Sequence, residues 1–357
     1  MAPQAPDTLP NFGFVFDIDG VLIRGFDILP HAKEALRKVH DSGVPYLFVT
    51  NNGMDTEEQR AAVLSKQFDI PVTKDSMVLN HSALQNHAEE LGDQLVLVTG
   101  YSRTCLKDVL RSYGFKKVAT VKEYSIAHPH CLPNKRYPDP PEGDVSWAEE
   151  PVAAVIVVET PEEWHEDLQV ICDLLRSDGR INHLATDNKQ HVKLFNCNFD
   201  FLYAEKFHTG RFGPGAFMQL LEHLFSEVTD GRRIEIIRHG KPNKPAYAVA
   251  AKKLQHQLDS LAAALPSDGS APQLQHIYAI GDNPKSDVRG ANSAGGGWRS
   301  ILVRTGVFKG GPGENDPTDP AHYVVEHVGE AVATAFQVEE DRSLGRRTSI
   351  SLHRADS

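Results

Sequence analysis

The sequence predicts an α/β protein: a doubly wound parallel sheet with a second, smaller α/β unit inserted into it. Three observations point there. Short apolar segments alternate with amphipathic helical ones, as in repeated βα units. Acids, amides and a threonine follow directly on several apolar segments, where open α/β sheets hold their ligands. At 357 residues the chain is too long for one ordinary core, so two packed units are expected.

The first strand is expected at Phe14, Val15 and Phe16, whose β-branched and aromatic side chains suit a covered sheet. It runs into Asp17-Ile18-Asp19-Gly20. Pro30 suits the first turn of a helix that would bury Ala32, Leu36 and Val39. The segment VPYLFVT (44–50) reads as a strand and hands over to Thr50, Asn51, Asn52 and Gly53. LVLVTG (95–100) and VAAVIVVET (152–160) read as strands that each precede a helix, with Trp164, Leu168, Ile171 and Leu175 on one face of the second helix. INHLATD (181–187) reads as a further strand, completing a smaller α/β unit. The proline-rich stretch 128–151 is expected to be an exposed loop, and His128-Pro129-His130 within it a solvated turn.

Phe217, Leu220, Leu221, Leu224, Phe225 and Val228 follow one face of a helix. Lys241 lies between the strand-like RIEIIR (233–238) and the next helix. HIYAIG (276–281) delivers Asp282 and Asn283, with Asp287 close behind, and SILVRTG (300–306) supplies another strand. Gly295-Gly296-Gly297 lacks the spacing of a phosphate loop and reads as a tight helix-to-strand turn. Residues 1–81 and 206–340 are assigned to the first unit and 82–205 to the insert. Residues 341–357, without apolar periodicity, are expected to be a mobile tail.

A net charge of −11 argues against a nucleic-acid binder. Four cysteines without a C-x-x-C pair favour reduced thiols over a disulfide frame or zinc site. No apolar run reaches the length of a membrane span. No Lys or Arg precedes Arg24, so a leader is not visible and the cytoplasm is the expected compartment, or the mitochondrion if a leader is missing. The DxDG at 17–20 is not an EF-hand loop: its glycine comes fourth rather than sixth, and Ile28 stands where a glutamate is needed.

Taken together and in order, DIDGV (17–21), VTNNG (49–53), GKPNKPAY (240–247) and GDNPKSDVRGAN (281–292) resemble the four motifs of the haloacid dehalogenase-like (HAD) hydrolases. The insert resembles the type-2 cap of subfamily IIA. RFGPGAF (211–217) and GW-x-SILVRTGV (297–307) resemble the cat-eye-syndrome critical region protein branch of that subfamily.

The resemblance implies a HAD core with an inserted cap, acting as a Mg²⁺-dependent phosphatase on a small phosphorylated metabolite through an aspartyl-phosphate. On that reading Asp17 is the nucleophile, and Asp19 is general acid and then base. Mg²⁺ is held by Asp17, Asp282 and the backbone carbonyl of Asp19. Thr50, Lys241 and backbone N–H groups near Asn51 receive the phosphoryl group, while Asn283 and Asp287 support the site from behind. A phosphotransferase, or a binding protein that keeps the fold without turnover, are the alternatives. Type-2 caps often pair, which allows a homodimer. Lys189, His191 and Lys193 are polar cap positions that read more simply as surface residues.

Overall fold

The computed structural model describes residues 9–101, 106–137, 145–203, 207, 209–264 and 272–346. Its larger sheet has the strand order Tyr323–Val325, Trp298–Val303, His276–Gly281, Phe12–Phe16, Tyr46–Val49, Met77–Val78. Every pairing in it is parallel. The chain leaves Phe12–Phe16 toward one edge and returns to build the other, so the strand order reverses beside the central strand. That reversal opens a crevice at the carboxyl ends of Phe12–Phe16 and His276–Gly281.

Alternation along the strands feeds both faces of this sheet. Phe14, Phe16, Phe48 and Tyr278 pack with Leu36, Phe68 and Val332 from helices Ala32–Asp41, Glu57–Phe68 and Val328–Ser343. Val15, Leu47, Ile277 and Ala279 face the other way, onto Ala250 and Leu254 of helix Lys244–Ala263 and Ala291 of helix Arg289–Ala294. Covering both faces explains why these strands read as continuous apolar runs.

The smaller sheet is also parallel, in the order Ile236–Arg238, Lys193–Asn196, Val152–Val157, Leu95–Thr99, Lys117–Thr120. Helices Trp164–Leu175 and Pro214–Val228 cover one face, where Phe217, Leu221 and Phe225 meet Leu97, Val155 and Leu194. Leu220, Leu224 and Val228, expected on the same face as Phe217, are exposed instead, so the buried stripe is narrower than the sequence suggests.

Several expectations are corrected. The boundary at 205/206 is misplaced: helix Pro214–Val228 packs in the second core and Ile236–Arg238 pairs with Lys193–Asn196, so the inserted unit extends through Arg238. INHLATD forms no strand; within it, Leu184 makes only an isolated bridge to Ser177. His128 is buried rather than solvated, its ring 4.3 Å from that of Tyr124. The stretch after it is not simply a loop, since Pro129–Cys131 and Ser146–Glu149 are short helical turns and Leu132 is buried. The final helix runs through Ser343 with Asp341 buried, past the expected start of a tail at 341; residues 347–357 lie outside the described residues. Cys172 and Cys197 are buried free thiols and Cys131 is half-buried, while Cys105 lies outside the described residues. No helix among the described residues is long and apolar enough to cross a membrane.

Candidate active site

The crevice is lined from the sequence upward by strand ends. Phe12–Phe16 stops where Asp17 donates its N–H to the Ile280 carbonyl at 2.9 Å, which fixes the start of the turn beside the neighbouring strand. Gly20 then adopts φ +84°, and a Cβ there would come within 2.5 Å of Asp282 Oδ2. A side chain at residue 20 would therefore be strained and would displace an acid of the cluster. Asp17 is buried, whereas Asp19, two residues on, lies on the exposed side of the turn.

Lys241 lies just past the inserted unit, where the chain returns to the first. The chain leaves Ile236–Arg238, turns at Gly240 and places the ammonium 2.6 Å from Asp17 Oδ1 and 2.7 Å from Asp287 Oδ1. Asp287 belongs to a π-helical turn, Pro284–Val288, and its second oxygen accepts the N–H groups of Asp282 and Asn283 at 3.1 and 3.0 Å. Asn283 caps that turn by accepting the Lys285 N–H at 3.1 Å. Asp282 accepts the Val307 N–H at 2.5 Å.

Thr50 and Asn51 stand at the end of the strand on the other side of Phe12–Phe16, both buried. The Thr50 hydroxyl oxygen accepts the Asn52 N–H at 3.1 Å, which leaves its hydrogen available to donate. The Asn51 amide is occupied differently. Its Oδ1 accepts the Lys241 N–H at 2.8 Å, and its Nδ2 donates at 3.1 Å to both the Lys241 carbonyl and Asp200 Oδ2. This side chain holds the lysine's backbone in place.

Two of three clustered carboxylates share one ammonium. Asp17, Asp282 and Asp287 have oxygens within 4.8 Å of one another, the one such group among the described residues. Burial pushes the Asp17 carboxyl well up, with Lys241 opposing and Asp287 and Asp282 adding to the rise. Burial and the adjacent Asp287 push Asp282 up to about 7. Burial disfavours the Lys241 charge, but Asp17 and Asp287 more than offset it and hold its pKa well above the lysine range. The ammonium is thus over-supplied with partners and the acids under-compensated. A cluster of hard oxygen donors with surplus negative charge fits a small divalent cation.

The residues singled out in the sequence therefore divide. Asp17, Lys241, Asp282 and Asp287 are brought together, with Thr50 and Asn51 alongside. Lys189, His191 and Lys193 are not: Lys193 opens the strand whose other end, Asn196, approaches the crevice, and it pairs with Glu90. His191 bonds Asp187 at 2.8 Å on the surface. Sequence reasoning missed Asn80, Glu159, Asn198 and Asp200, all of which bond to each other or to the turn after Thr50. The available signal was position: Glu159 and Asn198 each stand two residues past a strand end.

The site thus combines a doubly wound sheet, an aspartate at the end of its central strand and a lysine just past the inserted unit's last strand. Family models for haloacid dehalogenase-like hydrolases match residues 14–116 and 238–331. A mitochondrial hydrolase of Saccharomyces cerevisiae is 30% identical over 329 residues, covering 85% of this chain and 90% of that one. A cardiolipin synthase (CMP-forming)/mitochondrial hydrolase fusion protein of Schizosaccharomyces pombe is 31% identical over 330 residues, covering 90% of this chain and 53% of that one. The chain thus spans about half the length of the fusion protein. The p-nitrophenyl phosphatase of Archaeoglobus fulgidus shares the fold, with a TM-score of 0.60 at 17% identity, over 90% of this chain and 98% of that one. The chain belongs to the haloacid dehalogenase-like hydrolases.

Proposed function

We propose that the chain is a Mg²⁺-dependent phosphatase that hydrolyses a small phosphorylated metabolite through an aspartyl-phosphate on Asp17. The observation that carries this reading is the Asp17 carboxylate at the crevice, gripped by Lys241 within a buried cluster of acids. Asp17 and Asp282 would hold the ion, with the Asp19 carbonyl, and Asp287 would brace Lys241. Bound Mg²⁺ would supply positive charge to offset that of the phosphoryl oxygens.

A lone pair of an Asp17 carboxylate oxygen attacks phosphorus, and the bond to the leaving oxygen breaks. The Asp19 carboxyl gives that oxygen its proton, then takes one from the water that cleaves the acyl phosphate. Lys241 keeps charge balanced at Asp17, and the Thr50 hydroxyl is oriented to donate to a phosphoryl oxygen. The likeness to a p-nitrophenyl phosphatase supports the choice of a phosphate ester, and the likeness to mitochondrial hydrolases of two yeasts supports a mitochondrial compartment over a cytoplasmic one.

The test is turnover of an aryl phosphate with and without Mg²⁺. Hydrolysis that stops with chelator and returns with added Mg²⁺ is expected. Full activity in excess EDTA would reject the assignment.

A further inference from the structure

The turn that follows Thr50 is held from the inserted unit as well as from its own sheet. Glu159 stands just beyond strand Val152–Val157 and is buried. Its Oε1 accepts the Gly53 N–H at 2.7 Å and the Asn80 Nδ2 at 3.2 Å. Asn80 Nδ2 also donates to the Val158 carbonyl at 2.9 Å. Two residues past strand Lys193–Asn196, Asn198 Nδ2 donates to the Asn51 carbonyl at 3.1 Å. Asn80 packs so close to this turn that a Cβ at residue 53 would lie 2.0 Å from its Oδ1, so only glycine fits there. The segment 50–53 is therefore pinned at Asn51 and at Gly53 by strand ends of the other unit.

We propose that Glu159 is a positioning residue for phosphoryl transfer: by clamping Gly53 and Asn80 it sets the turn that carries Thr50 and Asn51, coupling the inserted unit's placement to the phosphoryl site. The inference rests on the phosphatase reading above. Glu159 makes no hydrogen bond to the reacting groups named there, although the Asp19 carboxylate is near enough to help raise its pKa; it acts through backbone. Thr50 supplies a donor at the end of this turn, and Asn51 fixes Lys241, so movement at Gly53 reaches both phosphoryl contacts. Burial pushes the Glu159 carboxyl up to about 8, so near neutral pH it serves mostly as an uncharged acceptor that glutamine can imitate.

The experiment compares the full-length chain with Glu159→Gln and Glu159→Asp, reading kcat and KM for p-nitrophenyl phosphate, inhibition by inorganic phosphate, and thermal midpoint. Gln keeps an acceptor at the same reach and should stay close to wild type. Asp is one methylene short of Gly53, so kcat should fall on the order of 10- to 100-fold and phosphate should inhibit more weakly. A role confined to stability would lower the midpoint and leave kcat and phosphate inhibition unchanged, and that result overturns the proposal. So does Gln losing as much as Asp. Wild-type protein without aryl phosphate turnover would instead reject the phosphatase reading, a distinct outcome read before any variant is compared.

Discussion

Replacing Lys241 with methionine probes the charge balance of the cluster directly. Methionine keeps a flexible apolar stem of similar length, so the change removes the ammonium with little change in packing. In the wild-type chain that ammonium lies 2.6 Å from Asp17 Oδ1 and 2.7 Å from Asp287 Oδ1, with its side chain only 6% exposed. Removing one partner of a buried ion pair costs about 3–5 kcal/mol, because the remaining charge is left uncompensated. Two bridges are lost here, but one cation serves both and the freed acids can take up a proton, so the single-pair figure is the better expectation. Losing a preorganised charge at the reacting centre should lower kcat by about 10²–10³-fold. Lys241→Arg should recover only part of this, since a planar fork does not replace a compact ammonium between two carboxylates. Urea unfolding in excess chelator reads the stability, and aryl phosphate turnover with Mg²⁺ reads the rate. An unchanged urea midpoint together with kcat within about twofold of wild type, far inside the loss expected for such a charge, would refute the reasoning.

Two other outcomes are expected. Burial raises the Glu159 pKa from an ordinary 4.5 to about 8. Its contribution to stability is fully present below 4.5, declines as the unfolded chain ionises, and is lost once pH passes about 8. At about 1.4 kcal/mol per pKa unit, wild type should lose about 2–3 kcal/mol more than Glu159→Gln between pH 6 and 9; parallel melting curves across that range would contradict this. Deleting 82–238 with a short linker should leave a soluble first unit that hydrolyses aryl phosphate weakly without preference among natural phosphates. Deleting only 82–205 should aggregate, because it strands Phe217, Leu221 and Phe225 without the sheet they cover, which light scattering will show.

The first sheet was legible because its strands are covered on both faces. His276–Gly281 coincides with the apolar run read in the sequence, and Asp17, Thr50 and Asp282 follow strand ends as expected. The inserted unit was less legible, since pairing partners are set by tertiary packing. RIEIIR announces a strand, but nothing local says that Ile236–Arg238 joins Lys193–Asn196 rather than the larger sheet. INHLATD offered only spaced apolar residues, whereas the true strand buries Leu194 and Phe195. The contacts of Glu159 with Gly53, and of Asp200 with Asn51, span 106 and 149 residues of chain. No periodicity reports such meetings; they arise when the carboxyl ends of two sheets face each other.

The central claim is that Asp17 is the nucleophile and Asp19 the proton carrier, and rapid mixing of Asp19→Asn with p-nitrophenyl phosphate tests it most directly. Nitrophenolate leaves without acid help, so the first step should survive while the second lacks its base. A burst near one equivalent of nitrophenolate followed by slow turnover is expected, and no burst with Asp17→Asn. A burst from Asp17→Asn, with none from Asp19→Asn, would contradict it.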